Sequence, residues 1–287
     1  MSKIAIIADS GCQIEIGKHE DKGIFIVPLG ITMKDKSYLD QKEINSIEVF
    51  ETMEKENIMV MTSQPPLGEI VSTLERIKAL GYDEVIGLSI ATGLSSTLNG
   101  MMTAAEMVDI KITLIDTKGT AGNHKYLINT ASQFIQEGKD IASIQKILET
   151  MVDNSGTIIM APNLEHLKKG GRITPAVAVL AGMLKIVPVM ELNYNLGGKI
   201  DTLAKVRTLS KAKTVVVERL VEMGVNAKDY IFTVEHVLCE DSAIEMKNMI
   251  LDKFKDAEIN LRELPAVVGA HMGVGGIGIQ YIKKYII

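Results

Sequence analysis

The sequence EVIGLSIATGLSSTLNG, residues 84–100, changes character twice within a short distance. Residues 84–90 form a nearly continuous apolar run, which is typical of a buried strand of a parallel sheet. Small and hydroxyl-bearing residues follow at 93–97, and residues 95–108 then show helical apolar spacing. This order predicts a strand–helix unit, and the free N–H groups at such a helix start can hold a small anion.

A second hydroxyl cluster, TSQP at residues 62–65, follows a short extended run and precedes a helical pattern at residues 68–80. Two helix starts facing one crevice would form an uncharged anion site. The alternative is local, because a Ser or Thr at either place can cap the helix that follows, which contributes about 1 kcal/mol. The hydroxyl groups of the predicted site belong to Thr62, Ser63, Ser95 and Ser96.

The first half of the chain alternates apolar runs with helical patterns, which predicts an α/β fold with a parallel sheet covered on both faces. The runs are residues 4–8, 25–29, 84–90 and 111–115, and the helical patterns are 45–56, 68–80, 95–108, 122–137 and 141–152. Asp9-Ser10 and Asp116-Thr117 end two of these runs. They are therefore expected at the same edge as the hydroxyl clusters, beyond the carboxyl ends of the strands.

The second half shows a different pattern, with strand-like runs, a hairpin turn and helices between them. This predicts an α+β domain with helices on one face of its sheet. The predicted strands are 157–161, 187–192, 199–203, 231–236 and 261–265, with a turn at 194–198 and helices at 177–184, 209–223 and 242–254. We expect two domains, residues 1–153 and 154–287.

Composition argues against several classes of protein. The net charge is -5 and aromatic residues are 4%, so a nucleic-acid partner is not expected. Cys12 and Cys239 lie far apart and outside any metal-ligand spacing, which favours reduced thiols, a cytoplasmic location and no metal or other cofactor. The apolar segment 175–192 contains Lys185 and Pro188, so it predicts a core helix and a strand rather than a membrane span.

His271 lies among glycines in GAHMGVGG, residues 269–276. Glycines let a backbone approach a ligand closely, and an imidazole can donate a hydrogen bond to a carboxylate. A buried structural histidine is the alternative. A dinucleotide loop is disfavoured, because the glycines follow no initial strand of a βαβ unit. Met272 and Gly273 belong to the same candidate site.

Cations surround two glycines in KKGGR, residues 168–172, where they could bind a phosphate or the acidic surface of a partner. A solvated turn is the alternative, and the same choice applies to KVRT, residues 205–208. The candidate contact residues are Lys169, Arg172 and Arg207.

Taken together, these motifs resemble the DegV family, the bacterial fatty-acid-binding proteins that serve fatty acid kinase. The resemblance extends from residue 8 to residue 273, and the order and spacing of the motifs make it specific. The motifs are residues 8–10, 62–65, 92–97, 116–117, 167–173, 205–208 and 269–273.

The resemblance implies a ligand tunnel between or within the two domains. It implies that Thr62, Ser95 and His271 hold the carboxylate of a long-chain fatty acid. Arg172 and neighbouring cations would face the kinase or the phosphorylated head group. Such a protein performs no chemistry alone; it takes a fatty acid from a membrane surface or from solution and presents it to a separate kinase, which makes an acyl phosphate for phospholipid synthesis.

The chain departs from the family pattern near the head-group end of the expected site. Thr92, Ser96, Met272 and Val274 replace the usual residues of two motifs, and Val187 replaces a lysine before Pro188. These differences bear on ligand preference and on coupling to a kinase.

Two other functions stay open at the level of sequence. One is a hydrolase or transferase that uses Ser95 with His271 as its base, although no P-loop or Gly-x-Ser-x-Gly motif is present. The other is a sensor whose lipid occupancy changes its binding to another protein.

Overall fold

The computed structural model describes residues 3–180, 186–193, 195 and 197–285. The strands are β1 Ile4–Asp9, β2 Ile24–Val27, β3 Gly30–Met33, β4 Lys36–Leu39, β5 Met61–Ser63, β6 Glu84–Ser89, β7 Lys111–Asp116, β8 Ser155–Met160, β9 Val187–Asn193, β10 Ile200–Val206, β11 Tyr230–His236, β12 Glu258–Glu263 and β13 Ile277–Lys283. The helices are α1 Ser46–Glu56, α2 Leu67–Ala79, α3 Thr97–Val108, α4 Ala121–Gln136, α5 Ile141–Asp153, α6 Glu165–Gly170, α7 Pro175–Ala178, α8 Leu209–Glu222, α9 Glu240–Lys253 and α10 Ala266–Met272.

The parallel sheet expected in the first half is confirmed, with strand order β2-β1-β6-β7. Its central strands β1 and β6 are buried on both faces, which explains why their sequences are almost continuously apolar. Helices α2 and α3 pack on one face and α4 and α5 on the other, each pair forming its own apolar core with the sheet. The carboxyl ends of β1, β6 and β7 therefore meet at one edge.

A second sheet of six strands, in the order β10-β9-β8-β13-β11-β12, confirms a mixed domain in the second half. Helices α8 and α9 share an apolar core with one face of this sheet, as expected. The start of α4 packs against the other face. There the backbone N–H of Asn123 donates to Gln280 Oε1 (2.8 Å). The side-chain amide of Asn123 donates to the backbone carbonyls of Gly156 and Tyr281.

Three parts of the fold differ from the sequence prediction. A small sheet, β4-β3-β5, forms beside α1, and β13 lies in the middle of the large sheet although no strand was predicted there. The stretch that contains His271, for which no element was predicted, begins within helix α10. Gly269 faces the ring of Phe50 on α1, so that glycine permits close helix packing.

The apolar segment 175–192 contains α7 and most of β9, and the structure describes it outside residues 181–185. The predicted helix 177–184 lies partly outside the described residues, as do Tyr194 and Leu196 of the predicted turn. In the described part of the chain, no helix is long and apolar enough to cross a membrane. The proposed boundary at residues 153 and 154 lies between α5 and β8 and remains a prediction.

Candidate ligand-binding site

A cavity lies between the two large sheets and the small one. The space between atoms there, including its opening to solvent, is about 770 Å³. Its walls are mostly aliphatic and come from loops of the parallel sheet, from the large mixed sheet and from α10. Apolar lining residues include Ile90, Ile159, Leu192, Ile200, Leu264 and Val267.

Thr62 and His271 meet at this cavity although they are 209 positions apart in the sequence. Thr62 Oγ1 lies 2.7 Å from His271 Nε2, and both residues line the cavity. Thr62 belongs to β5 and pairs with Ile31 of β3, so it does not stand at a helix start. Helix α2 begins at Leu67 with no side-chain cap, so neither the helix-end hypothesis nor the capping alternative describes this cluster.

The loop between α6 and α7 connects the other polar residues to this pair. An added Cβ at Gly170 would lie 2.7 Å from His271 Cε1 and still closer to Nδ1, so glycine leaves the space that the imidazole occupies. The Arg172 guanidinium donates to the carbonyl of Gly170, and its Nε donates to the carbonyl of Leu94 at 3.2 Å. Ser95 follows Leu94 directly in the sequence. Arg172 therefore connects the loop that contains Ser95 to Gly170, which packs against the imidazole of His271.

The imidazole at this site is neutral. Burial lowers the pKa of His271 to about 4, and the nearby charge of Arg172 and the neighbouring His166 lower it further. Its Nδ1 is buried and has no hydrogen-bond partner in the described part of the chain. Burial also lowers the pKa of Arg172, although a guanidinium stays charged at neutral pH. Of the described lining residues, Arg172 is therefore the permanent cation.

Ser95 lies in a loop that two carboxylates fix to the parallel sheet. Asp9 accepts from the N–H of Ile90 (2.9 Å), and Asp116 accepts from the N–H and hydroxyl of Thr92. Both acids end their strands at the expected edge, where they hold the backbone. Ser95 Oγ lies 2.8 Å from Thr97 Oγ1 and also accepts from the Thr97 N–H, so it supports the first turn of α3 as well as lining the cavity.

The predicted site residues divide into two groups. The cavity wall includes Thr62, Ser63, Ser95, Arg172, His271 and Met272. The exposed residues Ser96, Lys169 and Arg207 and the helix-ending Gly273 are outside that wall. Among the methionines of the described chain, Met272 lines the cavity, so the high methionine content mainly reflects core packing and surface positions.

Sequence reasoning missed a second set of polar residues on the cavity wall. They come from β8, β11, β13 and the loop before α4, and they are Thr120, Thr157, Glu235 and Gln280. Burial raises the pKa of Glu235 to about 8, while nearby Arg262 and a hydrogen bond from Gly122 lower it in part. A glutamate inside the apolar run 231–236 was the signal that could have identified this wall. No cluster of three or more metal-ligating side chains occurs among the residues that the structure describes.

Two large sheets enclosing a mainly apolar cavity with polar groups on its wall define a class of α/β proteins with an internal ligand site. The model of the DegV family, described as an uncharacterised protein family, matches residues 3–284. The chain belongs to the DegV family, which confirms the resemblance.

Relatives and solved structures agree along the whole chain. A DegV domain-containing protein of Halalkalibacterium halodurans is 29% identical, and the alignment covers 99% of this chain and 100% of the relative. The crystal structure of DegV from Bacillus subtilis, described as a fatty acid binding protein, is 28% identical with a TM-score of 0.86, covering 99% of this chain and 100% of that one. A fatty acid binding DegV family protein from Streptococcus agalactiae is 25% identical with a TM-score of 0.89 and the same coverage.

Proposed function

We propose that the protein binds a long-chain fatty acid in the cavity and presents its carboxylate to a separate fatty acid kinase in the cytoplasm. The observation that carries this proposal is the presence of Thr62, Ser95, Arg172 and His271, with Thr62 bonded to His271, on the wall of an otherwise largely apolar cavity. The fatty acid binding described for the Bacillus subtilis and Streptococcus agalactiae proteins supports it.

The acyl chain would supply most of the affinity. Each buried methylene contributes about 0.8 kcal/mol, so ten of them contribute about 8 kcal/mol. That gain corresponds to a micromolar dissociation constant before the costs of association are subtracted. A largely aliphatic wall is the surface that such a chain requires.

The carboxylate would be held mainly by neutral donors. Thr62 and Ser95 can each donate a hydroxyl proton, and His271 is neutral. Arg172 adds positive charge nearby, but two of its hydrogen bonds go to backbone carbonyls. A head group held in this way is fixed in position without a direct buried ion pair, which favours transfer to a second protein.

Surface residues outside the cavity wall offer contacts for a partner. Lys169 and Arg207 are exposed cations, suited to the acidic surface or bound phosphates of a kinase. Met61 and Leu67, on either side of Ser63 in the sequence, have exposures of 42% and 39%. We propose that these apolar side chains support a transient contact with a membrane surface during loading.

The hydrolase alternative lacks the geometry that it requires. A serine nucleophile needs a base within hydrogen-bond reach. Ser95 Oγ is bonded to Thr97, and His271 Nε2 is bonded to Thr62. The carrier is therefore the function that this arrangement supports best.

The first test is the lipid content and affinity of the purified protein. Mass spectrometry of extracted lipid should identify a long-chain fatty acid, and a Thr62→Val/Ser95→Ala variant should retain less of it. Thr32→Val and Ser96→Ala are matched controls, because Thr32 bonds to Ser37 on the exposed side of the small sheet and Ser96 is outside the cavity wall. Unchanged retention and unchanged kinase turnover in the double variant would refute the assignment.

The second test separates binding from presentation. Lys169→Glu and Arg207→Glu should leave fatty acid retention unchanged, since neither side chain lines the cavity. Acyl phosphate formation by an added fatty acid kinase should fall. Normal acyl phosphate formation with both variants would show that Lys169 and Arg207 do not contribute to the proposed contact with the kinase.

A further inference from the structure

One part of the cavity wall is polar. Gln280 there accepts from the Asn123 N–H and donates to the Thr120 carbonyl and to Thr157 Oγ1, so these bonds hold the start of α4. Thr157, Glu235 and Gln280 line this part of the wall together, and they lie on three adjacent strands of the large mixed sheet. Thr157 is directly opposite Gln280 in the β8–β13 pair. The pairing of strands places these side chains on the sheet face that receives the start of α4.

Gly278 leaves open space in the middle of this wall. It pairs with Ile159 on one side and with Glu235 on the other, and it lines the cavity. Among the residues that the structure describes, no atom lies within 4 Å of a Cβ added at Gly278. A glycine inside a strand often marks a place where a ligand approaches the backbone, and here the free space lies beside a carboxyl group.

Glu235 provides an unused hydrogen-bonding atom at that place. Its side chain is 0% exposed, and its Oε1 accepts from the Gly122 N–H at 3.1 Å. The Gln13 side chain approaches this carboxyl group and lowers its pKa in part, but among the described residues the buried Oε2 has no partner within hydrogen-bonding geometry. Burial raises the pKa of Glu235 to about 8, so the carboxyl group is mostly protonated at neutral pH. Smaller effects that lower this pKa come from Arg262, Gly122, Gln13 and Lys125. A neutral carboxyl can both donate and accept a hydrogen bond.

We propose that this wall, formed by Thr157, Glu235, Gly278 and Gln280, is a polar subsite for an oxygen atom carried on the acyl chain. The preferred ligand is then a hydroxy or oxo fatty acid, with its oxygen beside Glu235 and its chain passing over Gly278. This inference rests on the proposed function. An unsubstituted chain would leave the buried carboxyl oxygen unpaired, whereas a ligand hydroxyl or carbonyl pairs it.

The test compares ligands of equal length. Stearate and a series of hydroxystearates, with the hydroxyl at successive positions from the middle to the end of the chain, are titrated against delipidated protein. At least one hydroxystearate should bind about tenfold more tightly than stearate, the value of one additional buried hydrogen bond. Glu235→Leu should remove that preference, and Glu235→Gln, which keeps a donor and an acceptor, should retain it.

Two further variants control for folding and for the path of the chain. Thr233→Val also replaces a buried polar group on β11, but Thr233 does not line the cavity, so the preference should persist. Gly278→Val should weaken all of the long-chain ligands while sparing shorter unsubstituted acids, because it fills the open space.

The outcomes distinguish this inference from the proposed function. Stearate binding that equals or exceeds that of every hydroxystearate overturns the polar subsite and leaves fatty acid binding intact. A preference for a hydroxystearate that persists in Glu235→Leu also overturns the polar subsite. The subsite is overturned as well if short unsubstituted acids bind most tightly and water occupies the place beside Glu235. If no fatty acid of any kind binds, the proposed function fails together with the subsite.

Discussion

Replacement of Gly170 by alanine should disturb the imidazole of His271 directly. The new Cβ would lie 2.7 Å from Cε1 and closer to Nδ1, which is about 1 Å less than the usual separation of roughly 3.5 Å between non-bonded carbon atoms. The ring cannot move straight back, because Nε2 on its far side is already 2.7 Å from Thr62 Oγ1. It must therefore rotate away or displace the α6–α7 loop.

The size of the effect follows from these contacts. Overpacking of a buried site costs about 1–3 kcal/mol, and we expect a loss of that size in the free energy of unfolding of Gly170→Ala. Loss of the Thr62–His271 hydrogen bond costs about 1 kcal/mol. If this pair holds the carboxylate, fatty acid affinity should fall roughly five- to tenfold.

A double-mutant cycle, measured by chemical denaturation, tests this reasoning. In a His271→Ala background the added methyl group has space, so Gly170→Ala should cost little and the two changes should be strongly non-additive. Gly68→Ala is the control, since a Cβ there meets nothing within 4 Å. The reasoning is refuted if Gly170→Ala destabilises both backgrounds equally, or if it is as mild as Gly68→Ala.

Three further changes should have measurable effects. Folding raises the pKa of Glu235 from 4.5 to about 8, so its contribution to the free energy of unfolding is complete below pH 4.5 and is lost as the pH rises towards 8. The free energy of unfolding should therefore fall by at most about 1.4 kcal/mol per pH unit in this range, and less steeply in Glu235→Gln. Equal slopes for the two proteins in denaturation titrations would contradict this prediction. Asp116→Ala releases the N–H and hydroxyl of Thr92, so the free energy of unfolding should fall by about 1 kcal/mol, and unchanged denaturation would oppose this role. Arg172→Lys keeps the charge but loses the Nε bond to Leu94, so fatty acid affinity should fall about fivefold by calorimetry, whereas wild-type affinity would mean that charge alone matters.

The parallel sheet could be predicted because its physical requirement is visible along the chain. A strand covered on both faces must be apolar at nearly every position, as in residues 4–8 and 84–90. The edge where Asp9 and Asp116 lie follows from strand direction alone. Local pattern and tertiary structure agree here, so the sequence is sufficient.

The C-terminal elements were missed because glycine has more than one structural use. Gly269 lies in a helix and permits the close approach of Phe50, whereas the sequence pattern was interpreted as glycines that let the backbone approach a ligand. Strand β13 follows the same glycine-rich stretch and was obscured by it. Only the packing partner distinguishes a glycine that admits a neighbouring ring from one that admits a ligand.

The polar wall could not be predicted from the sequence, because its members are brought together by strand order. Thr157, Glu235 and Gln280 belong to β8, β11 and β13, and β13 lies between the other two. No local spacing specifies that arrangement. By contrast, Thr62, Ser95 and His271 were proposed from their motifs, and all three line the cavity.

The neutral state of His271 determines how the site can hold an acid. If Nε2 carries the proton, it donates to Thr62 Oγ1, and the Thr62 hydroxyl is left to donate outward to a carboxylate. The other tautomer would turn the Thr62 proton towards the imidazole and place a buried Nδ1–H beside Gly170 without an acceptor. We therefore assign the proton to Nε2. Burial lowers the pKa of His271, and the charge of Arg172 lowers it further. The positive charge that attracts the ligand therefore also keeps the imidazole neutral, which leaves the Thr62 hydroxyl free to donate to the carboxylate.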